Sequence, residues 1–248
     1  DLRPLVPEGE TTAGQETSGS ETSVEGGERV FPDTPVNADF LHQVDAAVRT
    51  EIGRLLLPGL QCENLRVDLA MANGELRMDP LRLETAGGSL KGELGFQDLK
   101  QGVAVTSKMD IQKLDLRKYM AMAGHKDFLR GNLESHLDVA ASGESIAGLM
   151  SALNGDARVI VGDAKLDSEY LEKFGDKTLN ILLDYLDPER KSRKYTRINC
   201  LVSGFDIEKG VALSRIILMD TEKMQLLADG EVNLGTERLD FSFDPSPK

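Results

Sequence analysis

Apolar side chains recur at every second residue over much of the chain, and this spacing constrains the fold more than any other feature. Leu65, Val67, Leu69 and Met71 alternate with polar or small residues. Successive side chains of a β-strand point to opposite faces, so the spacing predicts strands with one buried and one solvated face. The same alternation predicts further strands that contain Leu76 and Met78; Leu81 and Leu83; Leu90, Leu94 and Phe96; Val103, Val105 and Met109; Leu133, Leu137 and Val139; Val159 and Val161; Ile198, Cys200 and Val202; Val211, Leu213 and Ile217; Met224, Leu226 and Val232; and Leu239, Phe241 and Phe243.

Turn residues between these runs predict hairpins. Asn73-Gly74 is typical of a tight turn that needs positive φ angles, and Gly87-Gly88, residues 208–210 and residues 235–237 are predicted to turn the chain again. Pro80 is expected to interrupt the alternation. Because sequence neighbours are joined by short turns, an antiparallel meander is favoured. A parallel sheet would need a helix at every crossover, and too few are predicted.

Three segments carry helical patterns. Two short helices are predicted over residues 115–123 and 145–153, and a longer one over residues 168–186, which ends before Pro188. The expected fold class is therefore mainly β with a few helices (α+β), in which two short helices and one longer helix flank the meander.

An acidic stretch near the start of the chain has almost no apolar residues. Residues 8–29 carry six glutamates against one arginine, among Gly, Ser and Thr. Such a segment buries too little apolar area to offset its ordering entropy. The Asp-Leu-Arg of residues 1–3 recurs at residues 115–117, which suggests a repeated unit. The predicted organisation is the end of a preceding repeat at 1–7, a disordered linker at 8–37 and a β domain at 38–248.

Charge and cysteine spacing exclude several functions. The formal net charge of −13 argues against nucleic acid as a partner and against direct docking on an anionic bilayer. Cys62 and Cys200 lack the spacing of metal ligands, so no metal site is predicted. Cys200 is interpreted as a small buried thiol, and a disulfide between the two cysteines stays open in an oxidising compartment.

No constellation of catalytic residues is recognisable. The histidines His42, His125 and His136 lie outside known metal-binding spacings, and His136 falls on the polar side of its strand, where a solvated role is favoured over a catalytic one. A hydrolase would need a cleft joining His125 or His136 to a nucleophile and an acid. We therefore expect a protein that is not an enzyme, with no catalytic residues and no cofactor.

An unusually large part of the chain is predicted to form strands with one apolar and one polar face. If the apolar sides all point one way, the predicted helices cover only part of them, and lipid, a partner protein or neighbouring repeats must cover the rest. The alternative is a closed sandwich whose faces bury each other. The basic run at residues 190–194 could meet lipid headgroups, although a solvated loop is favoured. Candidate lining residues, chosen because they lie on the apolar phase of their strands, are Leu65, Val67, Leu69, Leu94, Phe96, Leu137, Val139, Met224, Leu226 and Phe241.

Several of these runs resemble the C-terminal region of the AsmA family in order and spacing. The resemblance extends over residues 40 to 247. It is carried by residues 73–83, 86–94, 115–116, 131–134, 149–157, 199–211, 220–221, 229–234 and 238–240. Two features depart from the family pattern: the acidic insertion is longer than the usual link, and no N-terminal transmembrane helix is present.

The resemblance implies a curved, repeating β-groove related to TamB and to bridge-like lipid transfer proteins. It also implies a location in the bacterial periplasm, with the full-length protein anchored in the inner membrane by an N-terminal helix that is missing from this chain. The expected role is outer-membrane assembly and movement of phospholipid or another acyl lipid, with envelope proteins as further partners. The alternative is a structural or protein-interaction module that assists outer-membrane protein assembly.

Overall fold

A single antiparallel sheet of eleven strands dominates the molecule. The computed structural model describes residues 29–169 and 194–248, and the strands follow one another across the sheet in chain order. This confirms the antiparallel meander and excludes a two-sheet sandwich for the described residues. The open sheet is consistent with a curved β-groove. The strands are β1 Ala46–Leu57, β2 Leu60–Ala72, β3 Glu75–Thr85, β4 Gly88–Asp98, β5 Val103–Asp115, β6 Leu129–Gly143, β7 Asn154–Asp167, β8 Tyr195–Glu208, β9 Val211–Thr221, β10 Met224–Asn233 and β11 Arg238–Pro247.

Two short helices interrupt the meander where the sequence predicts them. Helix α1, Leu116–Met122, follows β5, and the side chain of Asp115 accepts a hydrogen bond from the Lys118 amide, which caps its first turn. Helix α2, Ile146–Ser151, follows β6 and is capped by Ser145 in the same way. The longer helix predicted over residues 168–186 lies outside the described residues except for its first two positions. No helix among the described residues has both the length and the apolar content that a membrane span requires.

Two-residue turns with positive φ join several strands. Asn73 and Gly74 have φ angles of 52° and 78°, which confirms the predicted hairpin between β2 and β3. The turn between β3 and β4 is made by Ala86 and Gly87, one residue earlier than predicted, because Gly88 already pairs with Thr85.

Pro80 interrupts the alternation as expected, because the pairing of β3 with both neighbours shifts register beside it, although β3 runs on through Pro80 as one strand. Strand β1 has no counterpart in the sequence prediction. Thr50 occupies a position of β1 where an apolar residue would be expected, and its sequence neighbours are charged. The apolar alternation in β1 is therefore weak.

The sheet has two rims, formed by the ends of its strands. We call them the α2 rim, which carries α2 and the β2–β3, β4–β5, β8–β9 and β10–β11 turns, and the α1 rim, which carries α1 and the β1–β2, β3–β4 and β9–β10 turns. Antiparallel connection places alternate turns on opposite rims.

Residues 29–42 lie along the α2 rim, and we call this segment the strap. Its first residues bind the β10–β11 turn, where the amides of Val30 and Phe31 donate to the Glu237 carboxylate at 2.9 and 3.0 Å. Further along, the Val36 amide donates to the Glu144 carbonyl at 2.8 Å. The last nine residues of the predicted linker, 29–37, therefore contact the β domain.

The far end of the strap enters the core. A turn of 3-10 helix, Asp39–His42, places Leu41 among Val103 and Leu149, and Leu41 is fully buried. His42 Nε2 lies 2.7 Å from the Asp98 carboxylate on the β4–β5 side of the rim. The strap thus spans the rim from the β10–β11 turn to β4.

We predict that Glu237 makes the attachment of the strap depend on pH. The amides of Phe31 and Val30 hold the pKa of Glu237 below its ordinary value, because they stabilise the charged carboxylate. A lowered pKa in the folded state contributes stability that is present above the unfolded-state pKa and is lost as the pH falls through the folded-state pKa. The variant Glu237→Gln should therefore lower Tm at pH 7, and the difference from wild type should shrink as the pH falls below about 4, the ordinary pKa of a glutamate.

The control is Glu231→Gln, which neutralises an exposed glutamate on β10. Melting curves from pH 7 to pH 3 check the prediction. A difference in Tm for Glu237→Gln that persists unchanged at pH 3 would show that the carboxylate charge does not hold the strap.

Candidate functional site

One face of the sheet is apolar from edge to edge. The cross-strand pairs follow without a break, so that residues opposite one another form rows across the strands. A central row crosses β1 to β9 through Thr50, Val67, Leu81, Gly92, Met109, Leu137, Ala157, Phe205 and Ser214. A second row crosses β6 to β11 through Leu133, Val161, Leu201, Met219, Leu226 and Pro245. We call this side the apolar face.

Both ends of the strands on the apolar face are covered by the chain itself. At the α2 rim, Leu149 of α2 and Leu41 of the strap pack against Val103, with Phe96 and Met71 beside them. The α1 rim has a second cluster, in which Leu116 of α1 packs against buried positions of β7 and β8. That cluster contains Leu116, Val161, Ala164 and Ile198. The covered zones therefore lie at the rims.

The middle of the apolar face is only half-buried. All ten candidate lining residues lie on this face, as their cross-strand partners show. Eight of them are half-buried, among which Phe96 packs against the α2-rim cluster. Met224 and Leu226 differ: they are 3% and 7% exposed and so contribute to packing rather than to an open surface.

Other residues share the face but were not selected from the sequence. Met109, Leu81 and Phe205 occupy the central row, and Val48 of β1 is 49% exposed. Most of them follow the same alternation as the selected residues, so the alternation could have identified them. Val48 could not be found because β1 was not predicted.

Apolar side chains are exposed on both edge strands. Leu239 and Phe243 of β11 are 72% and 53% exposed, and Phe243 lies 6.4 Å from Phe241 between ring centroids. No strand among the described residues pairs with the outer side of β1 or of β11. The apolar face therefore reaches both edges of the described sheet without being closed off.

The opposite face is mainly charged and paired. Arg49 binds the Asp68 carboxylate at 3.0 Å, and Lys108 Nζ lies 3.1 Å from the Asp138 carboxylate. The hydrogen bond to Asp138 raises the pKa of Lys108. These pairs are exposed and neutralise one another, as expected for the solvated side of a sheet. We call this side the polar face.

His136 belongs to a ladder of charges on the polar face. Its Nδ1 lies 2.7 Å from the Asp110 carboxylate, and the cross-strand neighbours of the pair are Lys91 and Arg158. Lys91, Asp110, His136 and Arg158 thus form one row across four neighbouring strands. The described residues contain no group of three or more His, Cys, Asp or Glu side chains that could hold a metal ion.

Irregular pairing moves two predicted apolar positions of β8 to the polar face. Leu201 packs with Val161 on the apolar face, so its neighbours Cys200 and Val202 point the other way. The alternation is broken between Ile198 and Cys200, where the register with β9 shifts. Cys200 is therefore half-buried rather than buried, which corrects the sequence interpretation.

A second irregularity affects β9. Leu213 pairs with Asp206 and Glu231 on the polar face and is 57% exposed, whereas Ala212 is the buried residue. The register shifts further along β9, so Ile217 returns to the apolar face opposite Ala228. The predicted stripe of Val211, Leu213 and Ile217 is therefore wrong in its first two members.

The two cysteines are not paired. Cys62 on β2 is buried and Cys200 lies on β8, and both are free thiols. The disulfide left open by the sequence does not form in this structure.

An open antiparallel sheet with one apolar face and covered rims defines the chain as a β-groove protein. The AsmA family model matches residues 8–217, which is more than half of the chain. The chain therefore belongs to the AsmA family, and the resemblance found in the sequence is confirmed. This membership is consistent with a function at the bacterial envelope or with lipids.

A curated relative is similar over the whole chain. The AsmA family protein YhjG of Escherichia coli strain K12 is 25% identical over 255 residues, which cover 100% of this chain and 36% of that protein. The chain thus spans about a third of the length of this relative. No solved structure matches the chain.

We predict that thiols placed on the apolar face differ in reactivity according to this geometry. In a Cys62→Ala/Cys200→Ala background, Val67→Cys and Leu239→Cys should react with a maleimide at least about tenfold faster than Leu226→Cys, because access limits the reaction of a thiol. Mass spectrometry of timed samples measures the rates. Protection of Val67→Cys equal to that of Leu226→Cys would show that the centre of the face is sealed.

Proposed function

We propose that this chain is a periplasmic domain of an inner-membrane-anchored protein that takes part in outer-membrane assembly and carries phospholipid between the envelope membranes. Acyl chains would lie on the apolar face, while headgroups stay at the wet rims. The continuous apolar face, covered at its rims and half-buried in its middle, is the observation that carries the proposal. Family membership supports the envelope setting.

Burial of hydrocarbon supplies the affinity for an acyl chain. Each CH₂ group removed from water contributes about 0.8 kcal/mol, so a chain on the apolar face is strongly favoured over a chain in water. Transfer from a bilayer is different, because one apolar environment replaces another. The exchange between bilayer and groove is then close to neutral, which suits a path along which lipid must both enter and leave.

Small residues stand among the large ones on the apolar face. In the central row Ala157 stands between Leu137 and Phe205. Further small residues on the same face are Ser107, Ser135 and Ser203. A flexible acyl chain can gain contacts with the larger neighbours on both sides of such a position.

No covalent step is needed for this role, and we propose that the chain is not an enzyme. The partner of the apolar face is phospholipid or another acyl lipid, held by non-directional burial. Envelope proteins are a second class of partner. Neither role requires nucleic acid or a cofactor.

The free edges of the sheet favour a second candidate function. The unpaired outer sides of β1 and β11 offer backbone donors and acceptors that another strand can join. A structural or protein-interaction module that assists outer-membrane protein assembly would use these edges and leave the apolar face empty.

A charge placed at the centre of the apolar face tests the lipid role. Native mass spectrometry of the 248-residue chain, incubated with phospholipid vesicles, should show bound phospholipid in wild type and at least about tenfold less in Leu137→Glu, because a carboxylate among acyl chains is left desolvated. The matched control is Leu227→Glu, since Leu227 is 47% exposed and lies on the polar face.

Circular dichroism checks that each variant is folded, and Leu239→Glu at the exposed edge gives a second, structurally milder charge on the same face. Wild-type protein that stays lipid-free after incubation, or equal binding by Leu137→Glu, Leu239→Glu and Leu227→Glu, would reject the lipid role and leave the protein-interaction module.

A further inference from the structure

The free side of β11 carries the backbone groups of every second residue. Just after β11, the Lys248 amide donates to the Lys223 carbonyl at 2.9 Å, toward β10. The even-numbered residues of β10 point the other way, since the Gly230 amide donates to Ser214 Oγ of β9 at 2.9 Å. Backbone groups of a strand point to alternate sides, and β11 pairs with β10 without a register shift. The odd-numbered residues of β11 therefore direct their N–H and C=O groups away from the sheet.

Prolines close one half of this free side. The outward-directed residues are Leu239, Phe241, Phe243, Pro245 and Pro247. Proline has no backbone N–H, so the last two have nothing to donate, and a proline on an edge strand hinders the addition of another strand. Leu239, Phe241 and Phe243 keep both a donor and an acceptor. This half of β11 can therefore pair with a further strand.

The same three residues carry apolar side chains on the apolar face. Leu239 and Phe243 are 72% and 53% exposed, and Phe241 lies between them, opposite Gly230 of β10. A strand that covers them needs apolar side chains and outward backbone groups at the same alternate positions. β11 itself has this pattern, so a second copy of β11 is a suitable partner.

A two-fold axis at Phe241 uses every outward donor of this half. If Phe241 lies opposite Phe241 of an antiparallel second copy, Leu239 lies opposite the partner's Phe243, and the reverse. All three residues then fall in hydrogen-bonded pairs, each of which exchanges two backbone hydrogen bonds. The prolines lie outside the paired segment, which also ends before Glu237, where the strap is attached.

Charges on the polar face favour the same register. With the axis at Phe241, Arg238 lies opposite the partner's Asp244, and Asp240 lies opposite the partner's Ser242. Arg238 and Asp244 are exposed, and neither forms an ion pair with another residue in the described parts of the chain. Opposite charges that face each other across a strand pair stabilise it. The two-fold axis creates this pair twice.

Neighbouring registers bring like charges together. An axis at Asp240 places this residue opposite its own copy, and an axis at Ser242 places Asp240 opposite the partner's Asp244. The axis at Ser242 also places Leu239 opposite the partner's Pro245, which has no donor. An axis between two residues would set outward backbone groups against inward ones and apolar side chains against polar ones.

We propose that two copies of this chain associate through β11 in this register, as a dimer with its two-fold axis perpendicular to the sheet at Phe241. The odd-numbered residues of one copy meet those of the other, so both apolar faces lie on the same side and join into a surface of about twice the length. The paired segment is short, and the dimer is therefore weak. The association goes beyond the proposed function and does not require lipid.

Sedimentation velocity of the 248-residue chain over about 1–500 µM tests the association, and wild type should show a reversible monomer–dimer equilibrium. Phe241→Pro removes the central outward donors but none of the hydrogen bonds to β10, so it should weaken the dimer at least about tenfold. Val48→Glu, on the other edge strand, should dimerise as wild type does. Melting curves check that both variants fold.

A charge exchange tests the register. Arg238→Asp and Asp244→Arg each place like charges opposite one another and should weaken the dimer by about fivefold. The chain is negative overall, so an effect of net charge alone would make Asp244→Arg dimerise more strongly. The double variant Arg238→Asp/Asp244→Arg restores opposite charges across the axis and should dimerise as wild type does.

Disulfide formation provides a second test of the register that does not depend on a proline. In a Cys62→Ala/Cys200→Ala background, the thiol of Phe241→Cys meets its own copy with about 5.5 Å between Cα atoms, which a disulfide can span. Leu239→Cys is the matched control: it lies on the same strand and is more exposed, but it faces the partner's Phe243. Oxidation should link Phe241→Cys at least about tenfold faster.

Wild type that stays monomeric at the highest concentration would overturn the proposal. A dimer that Phe241→Pro leaves intact, or that links faster through Leu239→Cys than through Phe241→Cys, would place the contact elsewhere and overturn it as well. Failure of the charge exchange to restore the dimer would overturn the register. None of these measurements contains lipid, so their failure is distinct from failure of the proposed function.

Discussion

Continuous antiparallel pairing is the constraint on which the structure depends. Side chains alternate with a period of two, so each strand must pair in a register that keeps its apolar residues on the same side as those of its neighbours. All ten pairings between β1 and β11 keep the apolar residues of neighbouring strands on the same face. Where the apolar alternation along a strand shifts by one residue, a bulge restores this arrangement. The apolar face, the covered rims and the ladder of charges on the other side all follow from this agreement.

The meander, most of its strands and both short helices could be predicted from alternation, turn residues and capping, because these signals are local. Errors arise where a single residue changes the phase. Because of the bulge beside Cys200 and the register shift along β9, residues that the alternation assigns to the apolar face lie on the polar face. The apolar pattern of the sequence gives no sign of either irregularity. The position of the strap depends on contacts more than a hundred residues apart in sequence, such as that between Phe31 and Glu237, so no local pattern reveals it.

The sequence could predict which residues share the apolar face, but not which of them are exposed on it. Alternation assigns Leu65, Val67 and Leu137 to one side, yet it cannot say which members of that side are covered. Burial separates Met224 from Val67 because burial depends on which other elements pack above each strand.

The open edges have a geometric consequence for the length of the apolar face. Neighbouring strands lie about 4.8 Å apart, so eleven of them give an apolar floor on the order of 50 Å from one edge to the other if followed along the sheet. Because the order of strands is the order of the chain, inserting one more hairpin lengthens that floor by roughly 10 Å without rearranging what is already built. The length of the apolar face in such a sheet is thus set by the number of hairpins, whereas a closed barrel has a fixed circumference.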